Sequence, residues 1–290
     1  MQVYLFVCEM TQNKTQTDSP VEHSDLIGLS ATAVRAQFRT NSYQAHTAGL
    51  ASGKLQANLA IMPEEYALDF MRFCQRNPKP CPLVGVSETG SPLMQTMGRD
   101  IDVLTDVPAY NVYRDGVLSE TVADLKNIWA DDFVAFALGC SFTFEHAALK
   151  AGVPMWHIEN NTTVPMFRST IDCVPAGRFS GSTVVSMRAI DEDQIDLITQ
   201  VSAKYPLAHG TPLHVGDPTA IGITDIDKPE WGDPAPIGAG QVPVFWACGV
   251  TPQVAIENAR IPIVVTHKPG CMLISDIDEY AENPNLKPNL

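Results

Sequence analysis

The chain has 290 residues, 45% of them hydrophobic, and a formal net charge of −14 at pH 7. That length fits one large domain with a smaller one inserted or appended, and the acidic balance excludes nucleic acid, because nothing here would neutralise phosphates. No apolar run approaches the roughly 20 residues that cross a bilayer, and the seven cysteines include no CxxC pair, which favours reduced thiols and a cytoplasmic protein over a disulfide framework.

The opening MQVYLFVCEM has an apolar centre but no basic flank or small-residue cleavage site, so it is not read as a signal peptide. Residues 1–24 are expected to be a flexible N-terminal segment. LSATAVRAQFRT reads as a helix capped by Ser30. MPEEYALDFMRFCQRNP is a second helix, with Pro63 in its first turn, Glu64 and Glu65 complementing the dipole, and a stop at Pro78. ETVADLKNIW reads as a third. DDFVAFALGC is a buried strand that feeds a helix, SFTFEHAALKAG, ending at Gly152.

From Val153 the texture changes. MWHIEN, VPMFRST and STVVSMRAI read as short strands before a helical DEDQIDLITQVSAKYP, which suggests a small α+β insert over residues 155–205. Alternation resumes with TPLHVG, VPVFWACGV, a helix TPQVAIENAR and the strand IPIVVTH. The fold expected is therefore α/β: a mostly parallel central sheet flanked by helices, formed by 25–154 and 206–290, with a smaller inserted two-layer α+β domain. ENPNLKPNL reads as a frayed tail. FALGCSFTFEHAALKAGVP and FWACGVTPQVAIENARIP share an order of strand, Cys beside Gly, hydroxyl residue, helix and Pro. That order fits an internal duplication or two instances of one common strand-to-helix turn.

Both turns raise the same chemical question. A strand end feeding a helix N-terminus gathers unpaired N–H groups and the positive end of a dipole, a place where a thiol gains reactivity. Gly139 permits a tight path, Ser141 can cap the helix after Cys140, and Thr251 with Pro252 makes an N-cap and N1 pair after Cys248. The plain alternative is that both cysteines are packing residues.

With these residues assembled, the chain resembles the D-glutamate cyclase family, whose bacterial members are described as hydro-lyases. The resemblance spans about residues 30–282 and rests on eight blocks in order: TAGLASGKLQANLAIMP, TDVPAYNVY, GCSFTFE, VPMFRST, PAGRFSGSTVVSMR, HGTPLHVGDP, PVFWACGVTPQ and THKPGCMLISD. Two departures stand at Cys271, where the family commonly has histidine, and at Ala189, where it has proline. The resemblance implies an α/β fold with a smaller inserted domain, and cyclisation of D-glutamate to 5-oxo-D-proline with loss of water.

Such a reaction needs a base, an acid, oxyanion donors and a cation for the α-carboxylate. Glu145 is the candidate acid/base. His209, His214 and His267, each beside a strand in one of the blocks, are the candidate proton carriers. Backbone N–H groups at Ser141 and Gly249, next to Thr251, could form the oxyanion site. Arg168 and Arg188 are the candidate carboxylate clamps. Cys140 and Cys248 would line the pocket, since thiolate attack on an unactivated carboxylate is difficult. The histidines include no HxxxH or HExxH pair, the short Asp pairs read as turns and caps, and no Gly-rich phosphate loop follows a strand. No cofactor or metal is therefore expected, and the partner expected is a small amino dicarboxylate, in a monomer or homo-oligomer. A non-catalytic small-carboxylate binder and a cysteine-dependent amidohydrolase or racemase-like enzyme fit the same residues.

Overall fold

A computed structural model describes residues 21–279. The expected flexible segment lies outside these residues up to position 20, and the expected frayed tail lies outside them entirely. The first half runs α1 (His23–Leu26), α2 (Ala31–Arg39), β1 (Lys54–Pro63), α3 (Glu64–Arg76), β2 (Leu83–Val86), β3 (Tyr110–Arg114), β4 (Val117–Val122), β5 (Phe133–Gly139) and α4 (Phe142–Lys150). The second runs α5 (Trp156–Glu159), β6 (Met166–Asp172), β7 (Ser182–Asp191), α6 (Ile195–Ala203), β8 (His214–Val215), β9 (Gln241–Ala247), α7 (Thr251–Ala259), β10 (Val264–His267) and β11 (Leu273–Asp278).

The strands form two sheets. The larger has the order β2-β5-β1-β10-β3-β4, with β11 also on β1, and the smaller has the order β6-β7-β9-β8. Every pairing among the described residues is antiparallel. The expectation of a mostly parallel sheet is corrected by this finding. A continuous apolar strand reports cover on both faces, and an antiparallel strand buried on both sides carries the same signal. Residues 155–205, expected as an insert, supply β6 and β7, and the other two strands of that sheet come from the segment after it.

Period two sorts β1 between two cores. Leu55, Ala57, Leu59 and Ile61 enter one cluster, while Ala60 and Met62 enter another with Phe70, Phe73, Phe136 and Phe179. α4 lies over residues of both sheets: Phe144 and Ala148 pack with Ile190, Val244 and Trp246 of the smaller one, and Thr143 Oγ1 accepts from the Gln56 N–H in β1 of the larger. α7 does the same from its own side, with Ala255 and Ile256 against Phe136 and Val264 and Val254 against Val184. The two helices are the filling between the sheets.

Three local expectations also change. ETVADLKNIW is no helix: it ends β4 and continues as turns, because Thr121 and Val122 complete the β3–β4 ladder. MWHIEN is a short helix rather than a strand. Ser30 does cap α2, its Oγ accepting from the Ala33 N–H at 3.3 Å, but the Ser141 side chain caps nothing and has another partner, described below.

Candidate active site

The two cysteine turns are copies of one construction. β1 and β7 each have ten residues, and β5 and β9 each have seven. In both pairs the fourth residue of the long strand faces the last residue of the short one, Ala57 opposite Gly139 and Val185 opposite Ala247. The Cys140 N–H then donates to Gln56 O at 3.1 Å, and the Cys248 N–H to Val184 O at 2.9 Å. Three residues on, Thr143 Oγ1 accepts from the Gln56 N–H at 3.1 Å and Thr251 Oγ1 accepts from the Val184 N–H at 3.0 Å. The long strands even share their lead-in, AGLASG at 48–53 and AGRFSG at 176–181, with Gly49, Gly53, Gly177 and Gly181 all at positive φ. The outer neighbours match too, β2 on β5 and β8 on β9, and each half lends its last strand to the other: β6 lies on β7, and β10 on β1. Of the two readings of the cysteine turns, this geometry selects internal duplication.

At matched positions the copies diverge, and the divergence builds the charged centre. Glu145 on α4 corresponds to Gln253 on α7, and Arg188 on β7 to Ala60 on β1. Glu145 and Arg188 are 1% and 3% exposed. The Arg188 Nε donates to Glu145 Oε1 at 3.2 Å and its Nη2 donates to the same oxygen. Nη2 also donates to Ser141 Oγ at 2.9 Å, and Nη1 to Ser186 Oγ at 3.1 Å. The guanidinium lies 5.3 Å from the ring centres of both Phe144 and Trp246. His157 Nε2 stands 3.0 Å from Glu145 Oε1. Burial alone would raise the Glu145 carboxyl, but His157 and Arg188 outweigh it and hold the group down at about 2. Glu145 is thus a fixed carboxylate, and its Oε2 is buried with no hydrogen-bond partner among the described residues.

That carboxylate stands on the wall of a pocket of about 500 Å³, between the AGLASG loop, α4 and the ends of α1 and α5. Glu22, Glu159, Glu279, Lys54, His23 and His146 also line it. Burial and the nearby Lys150 lower the pKa of His146, so it is neutral at pH 7. Lys54 donates to Asp278 Oδ1 at 2.6 Å and to Asp276 O at 3.0 Å. The second copy closes the equivalent gap. Asn258 Nδ2 donates to Ser180 O at 2.8 Å, and Phe179, where the first copy has Ala51, is wholly buried against Phe70 and Phe73.

Of the residues singled out in the sequence, Glu145 lines the pocket and is bonded to Arg188, which also bonds Ser141. Cys140, Cys248, Gly249 and Thr251 lie at the two turns and are not among the described lining residues. Cys140 and Cys248 share one apolar cluster. A side chain at Gly249 would overlap the Asn58 amide, whose Nδ2 donates to Leu138 O and Gly139 O at 3.2 and 3.0 Å. Burial raises both thiols, Cys248 to about 11 and Cys140 further. His209 is buried on the Arg188 side, its Nδ1 at 2.8 Å from Lys79 O, and His267 Nδ1 accepts from the Leu59 N–H at 3.1 Å. Burial lowers each to about 4, so both are neutral. His214 lies elsewhere, its Nε2 at 2.7 Å from Asp217 O and its ring beside Phe245 on the far face of the smaller sheet. Arg168 is also elsewhere, half-exposed, paired with Glu257 at 2.8 Å and stacked on Trp231. Sequence reasoning passed over His157, Asn58 and Ser186. The AG..SG repeat before β1 and β7 was the available signal for the duplication that brings Asn58 and Ser186 to matched positions; His157 had none.

Among the described residues no group of three or more His, Cys, Asp and Glu is placed to hold a metal ion. Asp100, Asp106 and Asp276 instead surround Arg35 and Arg39. No helix among them is long and apolar enough to cross a membrane.

Comparison with known proteins decides the family. The D-glutamate cyclase family model matches residues 134–276, a span that begins in β5 and holds both cysteine turns. A Dinoroseobacter shibae protein named "Putative hydro-lyase" is 66% identical over 88% of this chain and 85% of its own length. One of the same description from Ruegeria pomeroyi is 65% identical over 87% of this chain and 91% of its own. The chain belongs to the D-glutamate cyclase family. A nitrogen repressor-like protein from Methanococcus jannaschii covers 83% of the chain at a TM-score of 0.35 and 12% identity, a likeness too loose to bear on the site. The relatives' names place this member of the D-glutamate cyclase family among hydro-lyases.

Proposed function

We propose that the chain cyclises D-glutamate to 5-oxo-D-proline with release of water, in the pocket bounded by Glu145. The observation that carries this reading is the Glu145 carboxylate, held ionised, with a buried oxygen that lacks a donor. A substrate ammonium supplies three N–H donors and a charge of the right sign. Arg188 acts here through Glu145, fixing and charging it, and does not clamp substrate.

Ring closure then needs a proton removed from the amine. His146, neutral on the pocket wall, can take it, and the amine nitrogen attacks the γ-carboxyl carbon. Of the three ammonium protons, one stays on the lactam nitrogen and two leave with an oxygen as water, so the reaction balances without a cofactor. Among the described residues the pocket lining includes four glutamates, Glu22, Glu145, Glu159 and Glu279, against one lysine, Lys54. That balance suits the ammonium end, and leaves the carboxylates to Lys54.

Purified protein incubated with D-glutamate and followed by chiral chromatography should form 5-oxo-D-proline. Glu145→Gln, which keeps the shape and an acceptor but not the charge, should lower kcat/KM at least ~100-fold, and Lys54→Met should act mainly on KM. Failure of the unmodified protein to form the lactam sinks the reading.

A further inference from the structure

The pocket at Glu145 is larger and less cationic than free glutamate calls for. Its volume of about 500 Å³ lies in the range that encloses drug-sized ligands, and glutamate is a much smaller molecule. Glutamate also brings two carboxylates, while Lys54 is the one lysine among the described lining residues. Its Nζ already donates to Asp278 Oδ1 at 2.6 Å. A second free carboxylate in this wall meets no cation of its own and faces the like charge of the glutamates. A molecule with one ammonium, one carboxylate and a neutral γ-carbonyl matches the lining better.

The rest of the wall indicates what that carbonyl carries. Phe142, Glu145, His146 and Leu149 all line the pocket from α4, at the i, i+3, i+4, i+7 spacing of a single helix face. Leu149 stands one turn past the ammonium seat, about 6 Å along the axis from Glu145. Ile158 of α5 also lines the pocket, and it packs with Leu149 against the same apolar cluster. A Cβ at Gly49 would lie 3.8 Å from Ile158 Cγ2, so the AGLASG loop passes close to this apolar end. Ile27, just after α1, is a further lining residue and is 60% exposed. Apolar side chains from three elements thus border space that a small polar dicarboxylate leaves unused.

We propose that the pocket also takes γ-N-alkyl amides of D-glutamate, seats the alkyl group against Leu149, Ile158 and Ile27, and closes these amides to 5-oxo-D-proline with release of the alkylamine. The proposal rests on the ammonium seat at Glu145 used for the cyclisation and changes the leaving group. The substrate amine attacks the γ-carbonyl carbon and the lactam C–N bond forms. The bond from that carbon to the alkylamide nitrogen breaks, and its electron pair leaves with that nitrogen. Of the three ammonium protons, one stays on the lactam nitrogen. Two pass by way of His146, on the same face of α4, to the departing nitrogen, which leaves as an alkylammonium. Atoms and charge balance with no other reactant. Expelling an amine from the tetrahedral intermediate takes one proton, whereas expelling a carboxylate oxygen as water takes two, so a single imidazole suits the amide.

The test gives the unmodified protein the γ-methyl-, ethyl-, propyl- and butylamides of D-glutamate beside free D-glutamate. 5-Oxo-D-proline is read by chiral chromatography, and free alkylamine is read separately. The expected kcat/KM rises about 3-fold with each added methylene and at the butylamide exceeds that of free D-glutamate at least ~10-fold. Leu149→Ser should flatten the rise, and an equally steep rise in that variant overturns the assigned alkyl seat. A flat series with the unmodified protein overturns the proposal without needing any variant to fold, as does alkylamine released with glutamate in place of the lactam. Lactam from D-glutamate but from none of the amides overturns it and leaves the water-releasing cyclisation standing. Lactam from the amides but not from D-glutamate upholds it and sinks the water-releasing reaction alone. Lactam from neither sinks both.

Discussion

At the level of single residues, the Glu145–Arg188 pair is the costly feature of this molecule. Two nearly dry charges face a desolvation penalty that their attraction repays only when further hydrogen bonds complete the geometry. Here Ser141 and Ser186 accept from Arg188 on the protein side and His157 Nε2 lies 3.0 Å from Oε1, while one carboxylate oxygen is left without a donor among the described residues. A purely structural pair would gain by satisfying that oxygen. Removing one partner should therefore be worse than removing both. Arg188→Met should destabilise the fold by about 3–5 kcal/mol, whereas Glu145→Gln combined with Arg188→Met should recover a substantial part of that loss. Urea unfolding of the two singles and the double gives the coupling directly, and strictly additive losses would refute the claim that the charges depend on each other. His157 enters the same arithmetic. It was invisible in the sequence because its segment, MWHIEN, carries no periodicity long enough to separate a short helix from a strand.

At the level of elements, the strand-to-helix turn is the repeated unit, and its glycines answer to different neighbours. A Cβ at Gly139 would overlap the backbone carbonyl oxygen of Leu207, whereas one at Gly249 would overlap the side-chain amide of Asn58. Backbone cannot step aside and a side chain can. Gly139→Ala should thus cost more than the about 1–3 kcal/mol usual for overpacking. Gly249→Ala should cost within that range, because Asn58 can turn away at the expense of its bonds to Leu138 O and Gly139 O. Adding Asn58→Ala should relieve Gly249→Ala and leave Gly139→Ala unchanged. Thermal unfolding of the four proteins distinguishes these outcomes, and equal effects of the two glycine substitutions would contradict the assigned contacts.

These turns were also the most legible part of the sequence. The strand β5, the helices α4 and α7 and the echo between them could be read from apolar runs, a Thr-Pro start and the Cys beside Gly. Strand direction could not, since Val, Ala and Phe in β5 report only burial on both faces. β1 was likewise passed over: KLQANLAIMP interrupts its apolar residues with Gln56 and Asn58, both buried and bonded to backbone. Polar residues inside a central strand look like a loop until their partners, supplied by distant turns, are known. Arg168 and Arg188 looked equivalent for the same reason. Each follows an apolar strand residue, and only the packing of α4 over β7 buries one and leaves the other beside solvent.

At the level of the whole molecule, the exchange of last strands between the halves sets how stability responds to acid. β10 reaches across to β1 and carries His267 into the larger sheet, where Nδ1 accepts from Leu59. The turn before β8 carries His209 against Lys79, which ends the segment after α3. Each imidazole is 1% exposed and held neutral, with burial lowering its pKa to about 4, while an unfolded chain restores about 6.5. Above about pH 6.5 both states carry neutral rings and this contribution is fully present. As pH falls toward 4 the unfolded chain binds protons that the folded one refuses, so stability drops by up to about 1.4 kcal/mol per pH unit for each ring. Below about pH 4.5 Glu145 continues the trend, its stabilisation fading as pH falls toward its folded value of about 2. The unfolding free energy from urea should therefore decline steadily from pH 7 to pH 4.5. The slope should flatten by about one proton in His209→Gln and again in His267→Gln, whatever each substitution does to stability at pH 7. Because the two histidines tie one half's segments to the other's, the acid-weakened step is separation of the halves. Hydrogen exchange at pH 5 should then show β1 and β10 losing protection together, and a β10 that stays protected while β1 opens would break the link between strand exchange and acid sensitivity.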